Sequence, residues 1–398
     1  MKVIYLDNNA TTMVAPEVIE AMRPFLGELY GNPSSIHSFG GQIKRNVDKA
    51  RDQVAQLLGA SPEEILFTAG GSEGDNLAIR GTLEAQGGKK RQIITTRVEH
   101  PAVRSQCHHL EKLGYQLIEI GVDGDGTLDL VALEKAITPD TAIISVMWAN
   151  NETGVIFPIE KIAGIAKTHG VVFHTDAVQA VGKLPIDLKK IPVDLLSLSG
   201  HKLHAPKGIG ALYVRKGTKL TPQIVGGHQE GGKRAGTENV PGIVGLGRAA
   251  ELAATHFSEE TQRVRGLRDR LEAGLRERCT HTKINGKNRL PNTLNISFEF
   301  IEGESILLLL DELGVAASSG SACTSGSLEP SHVLRAMGIP FTMAHGSVRF
   351  SLSRYNTEQE IDTVVKQMPK IVDRLRALSP FTQENSCGRV WSGMPHEH

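Results

Sequence analysis

Lys202 lies where a lysine could bind an aldehyde cofactor. In the segment LSLSGHKLHAPKGIGALYV it follows an apolar run that predicts a buried strand. A lysine held at a strand end and partly removed from water has an amine that is nucleophilic near neutral pH, as Schiff-base chemistry requires. A single lysine in such a position is more often an ordinary solvated loop residue. Two further segments decide between these interpretations.

Asp176 and a glycine turn supply other groups that pyridoxal phosphate (PLP) needs. A predicted strand in VVFHTDAVQA ends at Asp176, shortly before Gln179, and a buried carboxylate there would keep a pyridine nitrogen protonated. In FTAGGSEGDNLAI a strand leads into Gly71 and Ser72 and then a helix, whose free backbone N–H groups could bind a phosphate. Taken singly, Asp176 could be a cap or turn residue and the glycines an ordinary turn. Combined with Lys202, they predict a PLP site.

His100 and Asn151 follow two other predicted strands. His100, in TTRVEHPAV, precedes a proline that ends the regular strand, and an imidazole there could stack on an aromatic cofactor or move a proton. Asn151, in MWANNETG, could reach the phenolic oxygen of the cofactor. Each residue could instead belong to an ordinary loop or turn.

Cys323 stands in a run of small residues, SSGSACTSGSLEP. A structural cysteine normally packs among large apolar side chains, where it is inert. No large side chain is its neighbour in sequence, so the run predicts a thiol outside the core.

The elements that carry these residues alternate between strand and helix. Short apolar runs bounded by Gly, Pro or polar residues are typical of buried strands, and they include EILFTA, RQIITT, AIISVMWA, VVFHTDA, LLSLSG and GALYVR. Helical patterns lie between most of them, for example APEVIEAMRPFL, GQIKRNVDKARDQVAQLLG and PIEKIAGIAKTHG. This alternation predicts an α/β fold with a mainly parallel sheet covered on both faces.

The C-terminal part of the chain predicts a smaller α+β domain. A long helical stretch over residues 243–279 is followed by the strand-like runs TLNISFEF and HGSVRFSLS and by a closing helix over residues 358–378. The last residues are rich in Ser, Gly and Pro and predict a flexible tail. We therefore expect a large PLP-binding domain, a small domain and a tail, which span residues 15–255, residues 1–14 with 256–380, and residues 381–398.

Composition argues against several classes of function. Lys plus Arg and Asp plus Glu both number 44, so bulk charge favours neither a nucleic-acid partner nor an acidic membrane. No stretch reaches the ~18–20 apolar residues of a membrane-spanning helix. The four cysteines lie far apart without a secretory signal, which predicts reduced thiols in a cytoplasmic protein.

Taken in order, a series of sequence blocks covers nearly the whole chain. They begin with YLDNNATT and GNPSSIHSFG, continue through EHPAV, MWANNETG, HTDAVQAVGK and SGHKLHAPKG, and end with SSGSACTSGSLEPSHVLRAMGIP and VRFSLSRYNTEQEID. The series resembles the NifS-type cysteine desulfurases, which are fold-type I PLP enzymes of the class-V aminotransferase family. The resemblance implies a large domain built on a mostly parallel seven-stranded sheet, with PLP as cofactor.

The resemblance also implies roles around the cofactor ring. Lys202 would bind PLP covalently, and His100 would stack on the ring and move protons. Asp176 would pair with the pyridine nitrogen, and Gln179 would contact the phenolic oxygen. The resemblance further implies a phosphate site shared between two subunits of a homodimer. The residues of this phosphate site match Ser72, Ser199 and His201 of one subunit and Thr237 of the other.

Substrate binding is implied at Arg349, whose planar guanidinium suits a carboxylate, with Asn151 nearby. Arg354 on the same segment is a second candidate, and otherwise a surface ion-pair residue. The segment GGHQEGGKRAGTEN departs from the family, which commonly has more arginine where Gly231 and Lys233 stand here.

The implied reaction converts L-cysteine to L-alanine and leaves a persulfide on Cys323. Its small-residue loop suits a thiol that must be exposed and must move, although a free surface cysteine is the alternative. The sulfur would pass to an iron–sulfur scaffold protein, of nitrogenase-specific or general type, and Cys323 would meet a cluster on that scaffold. No metal site is expected in the chain itself. The cysteine and histidines of the tail could bind a metal incidentally, although a disordered end is the preferred interpretation. These tail residues are Cys387, His396 and His398.

Three alternatives stay open at this point. A PLP aminotransferase would share Lys202 and Asp176 but would need no thiol. Selenocysteine lyase activity could be a side reaction. A non-catalytic iron–sulfur scaffold would use cysteines as ligands, but cluster sites favour closely spaced thiolates, and those of this chain are scattered.

Overall fold

The computed structural model describes residues 3–319 and 330–379. Cys323, Cys387, His396 and His398 lie outside the described residues, as does the predicted flexible tail. Among the described residues, no helix is both long enough and apolar enough to cross a membrane.

The described strands follow one another along the chain in twelve segments. They are β1 (Ile4–Tyr5), β2 (Ile65–Thr68), β3 (Gln92–Thr96), β4 (Gln116–Ile120), β5 (Thr141–Ser145), β6 (Val172–Asp176), β7 (Leu195–Ser199), β8 (Gly210–Val214), β9 (Thr282–Ile284), β10 (Thr293–Phe298), β11 (Val315–Ala316) and β12 (Ser347–Ser351).

The described α-helices lie between and after these strands. They are α1 (Pro16–Met22), α2 (Ser38–Leu58), α3 (Gly71–Ala85), α4 (Pro101–Lys112), α5 (Leu130–Ala136), α6 (Ile159–His169), α7 (Val240–Arg278), α8 (Gly303–Glu312), α9 (His332–Ala336), α10 (Phe341–His345) and α11 (Glu358–Leu378).

A seven-stranded sheet forms the centre of the larger part of the fold. Its strand order is β2-β8-β7-β6-β5-β3-β4. Neighbouring strands from β7 to β4 are parallel, whereas β8 is antiparallel to both of its neighbours. Every residue of β2, β3, β5, β7 and β8 is buried, as expected for a sheet covered on both faces. The predicted α/β fold with a mostly parallel seven-stranded sheet is confirmed.

Within the seven-stranded sheet, the strand that sequence patterns missed is β4, at the edge. Its sequence is QLIEI, and its first residue is exposed while the next three are partly buried. An edge strand packs on one neighbour only, so its sequence lacks the continuous apolar run that marks the central strands.

A second hydrophobic cluster forms around a three-stranded antiparallel sheet of order β12-β10-β9. It includes Leu6 near the N-terminus, Phe298 of β10 and Phe350 of β12. The long helix α7 contributes to both clusters, since Ile243 packs in the first and Leu271 in the second. The predicted domain boundary at residues 255 and 256 falls between these two parts of α7. That division stays a prediction.

Candidate active site

A cavity of about 350 Å³ lies at the carboxyl ends of the central parallel strands. The ends of β3, β5, β6 and β7 and the N-terminus of α3 all supply residues to it, which is where open α/β sheets bind ligands. Ten residues predicted from the sequence line this cavity: Gly71, Ser72, His100, Asn151, Asp176, Gln179, Ser199, His201, Lys202 and Arg349.

Lys202 ends a short 3-10 turn, Gly200–Lys202, that directly follows β7. Its amino group donates hydrogen bonds to the backbone carbonyl of Asn9 at 2.5 Å and to that of Ala10 at 2.6 Å. At Gly200 a Cβ would lie 2.9 Å from Ile209 Cγ2, so the turn packs against the next strand closely enough to require glycine. The side chain of Lys202 is therefore held at the strand end and is not a freely solvated loop residue.

Asp176 is the last residue of β6 and is buried. Its Oδ1 accepts a hydrogen bond from the amide of Val178 at 2.9 Å. Burial raises the pKa of Asp176, while the hydrogen bond from Val178 and the nearby charge of Lys202 act in the opposite direction. The carboxylate can thus serve as the counterion of a protonated ring nitrogen.

His100 caps the N-terminus of α4. Its Nδ1 accepts a hydrogen bond from the amide of Ala102 at 3.1 Å, which requires Nδ1 to be unprotonated. Burial lowers the pKa of His100, with Asp176 opposing that effect. The ring is consequently a neutral imidazole near the other polar groups of the cavity.

The N-terminus of α3 forms a cradle of backbone N–H groups. The helix begins at Gly71, and a Cβ at that position would lie 2.6 Å from Val178 Cγ2. Glycine is needed there because the helix start approaches the loop after β6 so closely. Ser72 and Ser199 line the same corner. Free N–H groups with neighbouring hydroxyls make this corner suited to a phosphate.

His201 lies at the edge of this cradle. Its Nδ1 is 3.1 Å from Thr11 Oγ1. Burial, together with the charge of Lys202, lowers the pKa of His201 to about 4. A neutral ring can still offer an N–H group to an anion.

Gln179 and Asn151 are both tied to Asn9 from the N-terminal segment. Gln179 Nε2 donates to the carbonyl of Asn9 at 2.9 Å, and Asn9 Nδ2 donates to the carbonyl of Asn151 at 3.1 Å. Because Lys202 also donates to the Asn9 carbonyl, the single residue Asn9 contacts three residues of the cavity wall. Its carbonyl accepts from Gln179 and Lys202, and its side-chain amide donates to Asn151.

Arg349 comes from the middle of β12, and its side chain is 5% exposed. It pairs with Asp7 at 2.7 Å through Nη2 and donates to the carbonyl of Asn151 at 2.9 Å through Nη1. Its Nε is buried without a hydrogen-bond partner among the described residues. Arg354, the second candidate, pairs with Glu260 at 3.0 Å and lines a different cavity. The Nε of Arg354 is buried without such a partner as well, so position decides between the two arginines: Arg349 lines the main cavity and is the one suited to a carboxylate there.

Thr237 is exposed on the loop before α7 and is not among the described residues that line the cavity.

Earlier on this loop, Glu230 pairs with Arg51 at 2.7 Å and accepts a hydrogen bond from the amide of Phe67 at 2.9 Å. Gly231 has a φ of +62°, a conformation that favours glycine over arginine. Lys233 lies beside it and is partly buried.

The described cysteines, Cys107 and Cys279, are buried in the fold. Burial raises the pKa of both thiols, in Cys279 to about 11. No group of three or more His, Cys, Asp or Glu residues that could hold a metal occurs within residues 3–319 and 330–379.

Comparison with known proteins identifies the family. The aminotransferase class-V family matches residues 4–364. The chain belongs to this family. It is 60% identical to cysteine desulfurase 2 of Trichormus variabilis, over 97% of both chains, and 58% identical to the cysteine desulfurase NifS of Azotobacter vinelandii, over 96% of both chains. A solved NifS-like protein is 41% identical, with a TM-score of 0.88 over 94% of this chain and 100% of the other.

The cavity of this class-V chain fits PLP in three separate ways. Lys202 offers an amine beside backbone carbonyls, Asp176 offers a buried carboxylate, and the α3 N-terminus offers N–H groups where Gly71 leaves no room for a Cβ. Those groups match the aldehyde, the ring nitrogen and the phosphate of the cofactor.

A buried polar network lies beneath this class-V site, and it was not predicted from the sequence. The ring of His174 bonds Ser145 at 2.9 Å and Ser197 at 3.0 Å, and its Nε2 is 3.5 Å from Asp75. Burial lowers the pKa of His174 to about 3 and raises that of Asp75 well above its usual value. His174 lies on the same strand as Asp176, so its position was a usable signal, whereas the placement of Asp75 on α3 follows only from packing.

Glu99 and the N-terminal residues Asp7 and Asn9 were also missed. Glu99 precedes His100 and is fully buried. Its Oε1 accepts hydrogen bonds from Thr96 at 2.8 Å and from the amide of Met147 at 3.0 Å. The block YLDNNATT contains Asp7 and Asn9, but their contacts with β12 and β7 lie far away along the chain. No local pattern could have revealed them.

Proposed function

We propose that the protein is a PLP-dependent cysteine desulfurase that converts L-cysteine to L-alanine. The observation that carries the proposal is the single cavity that combines Lys202, Asp176, the N-terminus of α3 and Arg349. The names of the relatives, at 58–60% identity over nearly the full chain, support the same reaction.

In this proposal the residues of the cavity hold the cofactor at several points. Lys202 would bind its aldehyde covalently, and Asp176 would pair with its ring nitrogen, with His100 against the ring and Gln179 at the phenolic oxygen. When bound, PLP supplies an electron sink for negative charge that develops at the substrate α-carbon. The phosphate would lie at the start of α3, in contact with Gly71, Ser72, Ser199 and His201.

Substrate would be oriented through its carboxylate. Arg349 has five N–H bonds, of which one goes to Asp7 and one to Asn151. Its unpartnered Nε can therefore donate to L-cysteine without breaking either contact, and Asn151 lies beside it. The amine of Lys202 would remove the α-proton, because it lies in the same cavity as Arg349 and is held there by the carbonyls of Asn9 and Ala10.

Sulfur transfer is assigned to Cys323. Its thiolate would form an S–S bond with the γ-sulfur of the substrate while the bond between that sulfur and Cβ breaks, leaving the electron pair on carbon. The carbon fragment takes up a proton and leaves as alanine. One thiol and one cysteine thus give one persulfide and one alanine, without an external oxidant.

The partners belong to the same proposal. An iron–sulfur scaffold protein in the cytoplasm would accept the persulfide sulfur, and a second copy of the chain would supply Thr237 to the phosphate site. Exposure of Thr237 outside its own cavity supports the homodimer. The two described cysteines are poor cluster ligands because burial keeps their thiols protonated, which disfavours the scaffold alternative.

Cys323→Ala tests the function against the aminotransferase alternative. The variant should bind PLP normally and release almost no alanine from L-cysteine. After brief exposure to L-cysteine, mass spectrometry of the wild type should find one added sulfur on the peptide containing SACTSGSLEP. Cys387→Ala is the matched control and should behave as wild type. Normal desulfuration by Cys323→Ala, or added sulfur on another cysteine, would contradict the proposal.

A further inference from the structure

Lys183 lies beside the cavity but has no place in the mechanism above. Its amino group donates a hydrogen bond to Gln179 Oε1 at 2.9 Å. Gln179 Nε2 donates in turn to the Asn9 carbonyl at 2.9 Å, and that carbonyl accepts from Lys202 at 2.5 Å. A continuous chain of hydrogen bonds therefore joins the two lysines.

The turn that carries Lys183 is pressed against the segment that carries Lys202. Gly182 has a φ of +75°, and a Cβ at that position would lie 2.2 Å from Leu203 Cδ1. Both the backbone conformation and the close approach require glycine. Lys183 and Lys202 also line the same second cavity, behind the main one, of about 70 Å³. The proximity of the two amines is thus built into the packing of the turn.

The surroundings of Lys183 are mostly positive. Among the residues that line the second cavity, Glu260 is a carboxylate, but it already pairs with Arg354 at 3.0 Å. Burial lowers the pKa of Lys183 to about 7, and repulsion from Lys202 and Arg349 adds to that effect. The other charged or titratable groups that face Lys183 come from the turn after β7 and from the segment after β12. They are His201, His204 and Arg354.

We propose that Lys183 is a positioning residue of this site, which fixes the side-chain amide of Gln179 and, over the pH range in which its own amine is protonated, favours the unprotonated amine of Lys202. An adjacent cation is an established way to make a lysine nucleophilic at neutral pH. The amide is fixed because Lys183 holds its oxygen while the Asn9 carbonyl holds its nitrogen. The catalytic consequence of this inference rests on the proposed function, whereas the coupling of the two amines does not.

Competitive acetylation of the PLP-free protein across pH 6–10 measures the coupling without the cofactor. Peptide mass spectrometry gives the pH midpoint at which each lysine becomes reactive. In Lys183→Met the midpoint of Lys202 should rise by about one pH unit. Coupling is reciprocal, so Lys202→Met should also raise the midpoint of Lys183, and the larger shift belongs to the amine that loses its proton first. Lys190→Met, which removes an exposed lysine paired with Asp187, is the matched control and should shift neither.

Two further variants separate charge from hydrogen bonding. Lys183→Arg keeps both and should leave the Lys202 midpoint near the wild-type value. Lys183→Gln keeps a donor for Gln179 but removes the charge, and it should shift the midpoint as Lys183→Met does. It also serves as the test if the methionine variant does not fold. An unchanged Lys202 midpoint in folded Lys183→Met or Lys183→Gln protein would overturn the proposal.

Capture of added PLP, followed by visible absorbance, is the second readout. Its pH midpoint should rise in the same variants that shift the acetylation midpoint of Lys202. If the wild type captures no PLP, the proposed function fails while the acetylation result still decides the coupling. If PLP is captured with the same midpoint in every folded variant, the proposed role of Lys183 fails while the function stands.

Discussion

Replacing Arg349 should weaken substrate binding far more than cofactor binding. Arg349 comes from β12, whereas the groups proposed to hold PLP come from the ends of β6 and β7 and from α3. Its Nε is a buried donor in the main cavity wall, and no described residue accepts a hydrogen bond from it. Arg349→Ala and Arg349→Lys both remove this donor, and only the lysine variant keeps a positive charge near Asp7.

The expected magnitude follows from the lost contact with a carboxylate. Hydrogen bonds to charged groups contribute about 1.5–3 kcal/mol. A loss of about 2–3 kcal/mol corresponds to a KM for L-cysteine that is about 30- to 150-fold higher. Alanine release at varied L-cysteine concentration gives KM and kcat, and visible absorbance reports bound PLP. The absorbance should stay close to wild type in both variants.

Loss of Arg349 also leaves Asp7 without its ion-pair partner. The Asp7 side chain is 20% exposed, so Arg349→Ala should also lower the free energy of unfolding. Asp7→Asn combined with Arg349→Ala should recover stability but not KM, which separates substrate binding from folding. Arg354→Ala should leave KM within about twofold of wild type, because Arg354 binds Glu260 away from the main cavity. An unchanged KM in both Arg349 variants, with PLP bound, would refute the assignment.

Three other substitutions test separate parts of the site. Lys202→Ala should abolish turnover and the visible absorption of covalently bound PLP, and wild-type turnover by this variant would exclude its role. Asp176→Asn should retain PLP but slow alanine formation on the order of 100-fold, since an amide cannot stabilise a ring cation, and unchanged single-turnover kinetics would contradict this. Burial raises the pKa of Glu99 to about 8, so the folded state keeps a proton that the unfolded state releases above about pH 4.5, and stability falls as pH rises through about 8. Glu99→Gln should therefore show a smaller drop in melting temperature between pH 6 and pH 9, and an equal drop in both proteins would argue against a protonated Glu99.

Local patterns predicted the residues that stand directly at strand ends. Asp176 and Ser199 end apolar runs, and the end of a buried parallel strand fixes where the next side chain points. Lys202 and Gly71 follow such runs after a short turn. Their meeting in one cavity follows from the parallel arrangement, so the sequence alone was sufficient to predict that these residues lie together.

The remaining contacts depend on parts of the chain that are distant in sequence. The ion pair of Asp7 and Arg349 joins residues 342 positions apart, and neither residue has a neighbour that predicts it. The acceptor for Lys202 is the backbone carbonyl of Asn9. Every residue has a backbone carbonyl, so the residue type at this position could not predict the contact. The role proposed for Lys183 could not be predicted from the sequence either. It depends on how closely Gly182 approaches Leu203 in the folded chain.

The N-terminal segment fixes the position of the residue proposed to bind the substrate relative to the residues proposed to bind the cofactor. It pairs with β11 through Ile4 and Tyr5, and Asn8 Nδ2 donates to the carbonyl of Ser351 at 2.9 Å, at the end of β12. One residue later, the carbonyl of Asn9 holds Lys202 after β7. The segment thus binds β12, which carries Arg349, and the turn that carries Lys202, within two consecutive residues. Since these two elements belong to different sheets, this short stretch of backbone helps to set the distance between Arg349, proposed to bind the substrate carboxylate, and the amine of Lys202, proposed to take the α-proton.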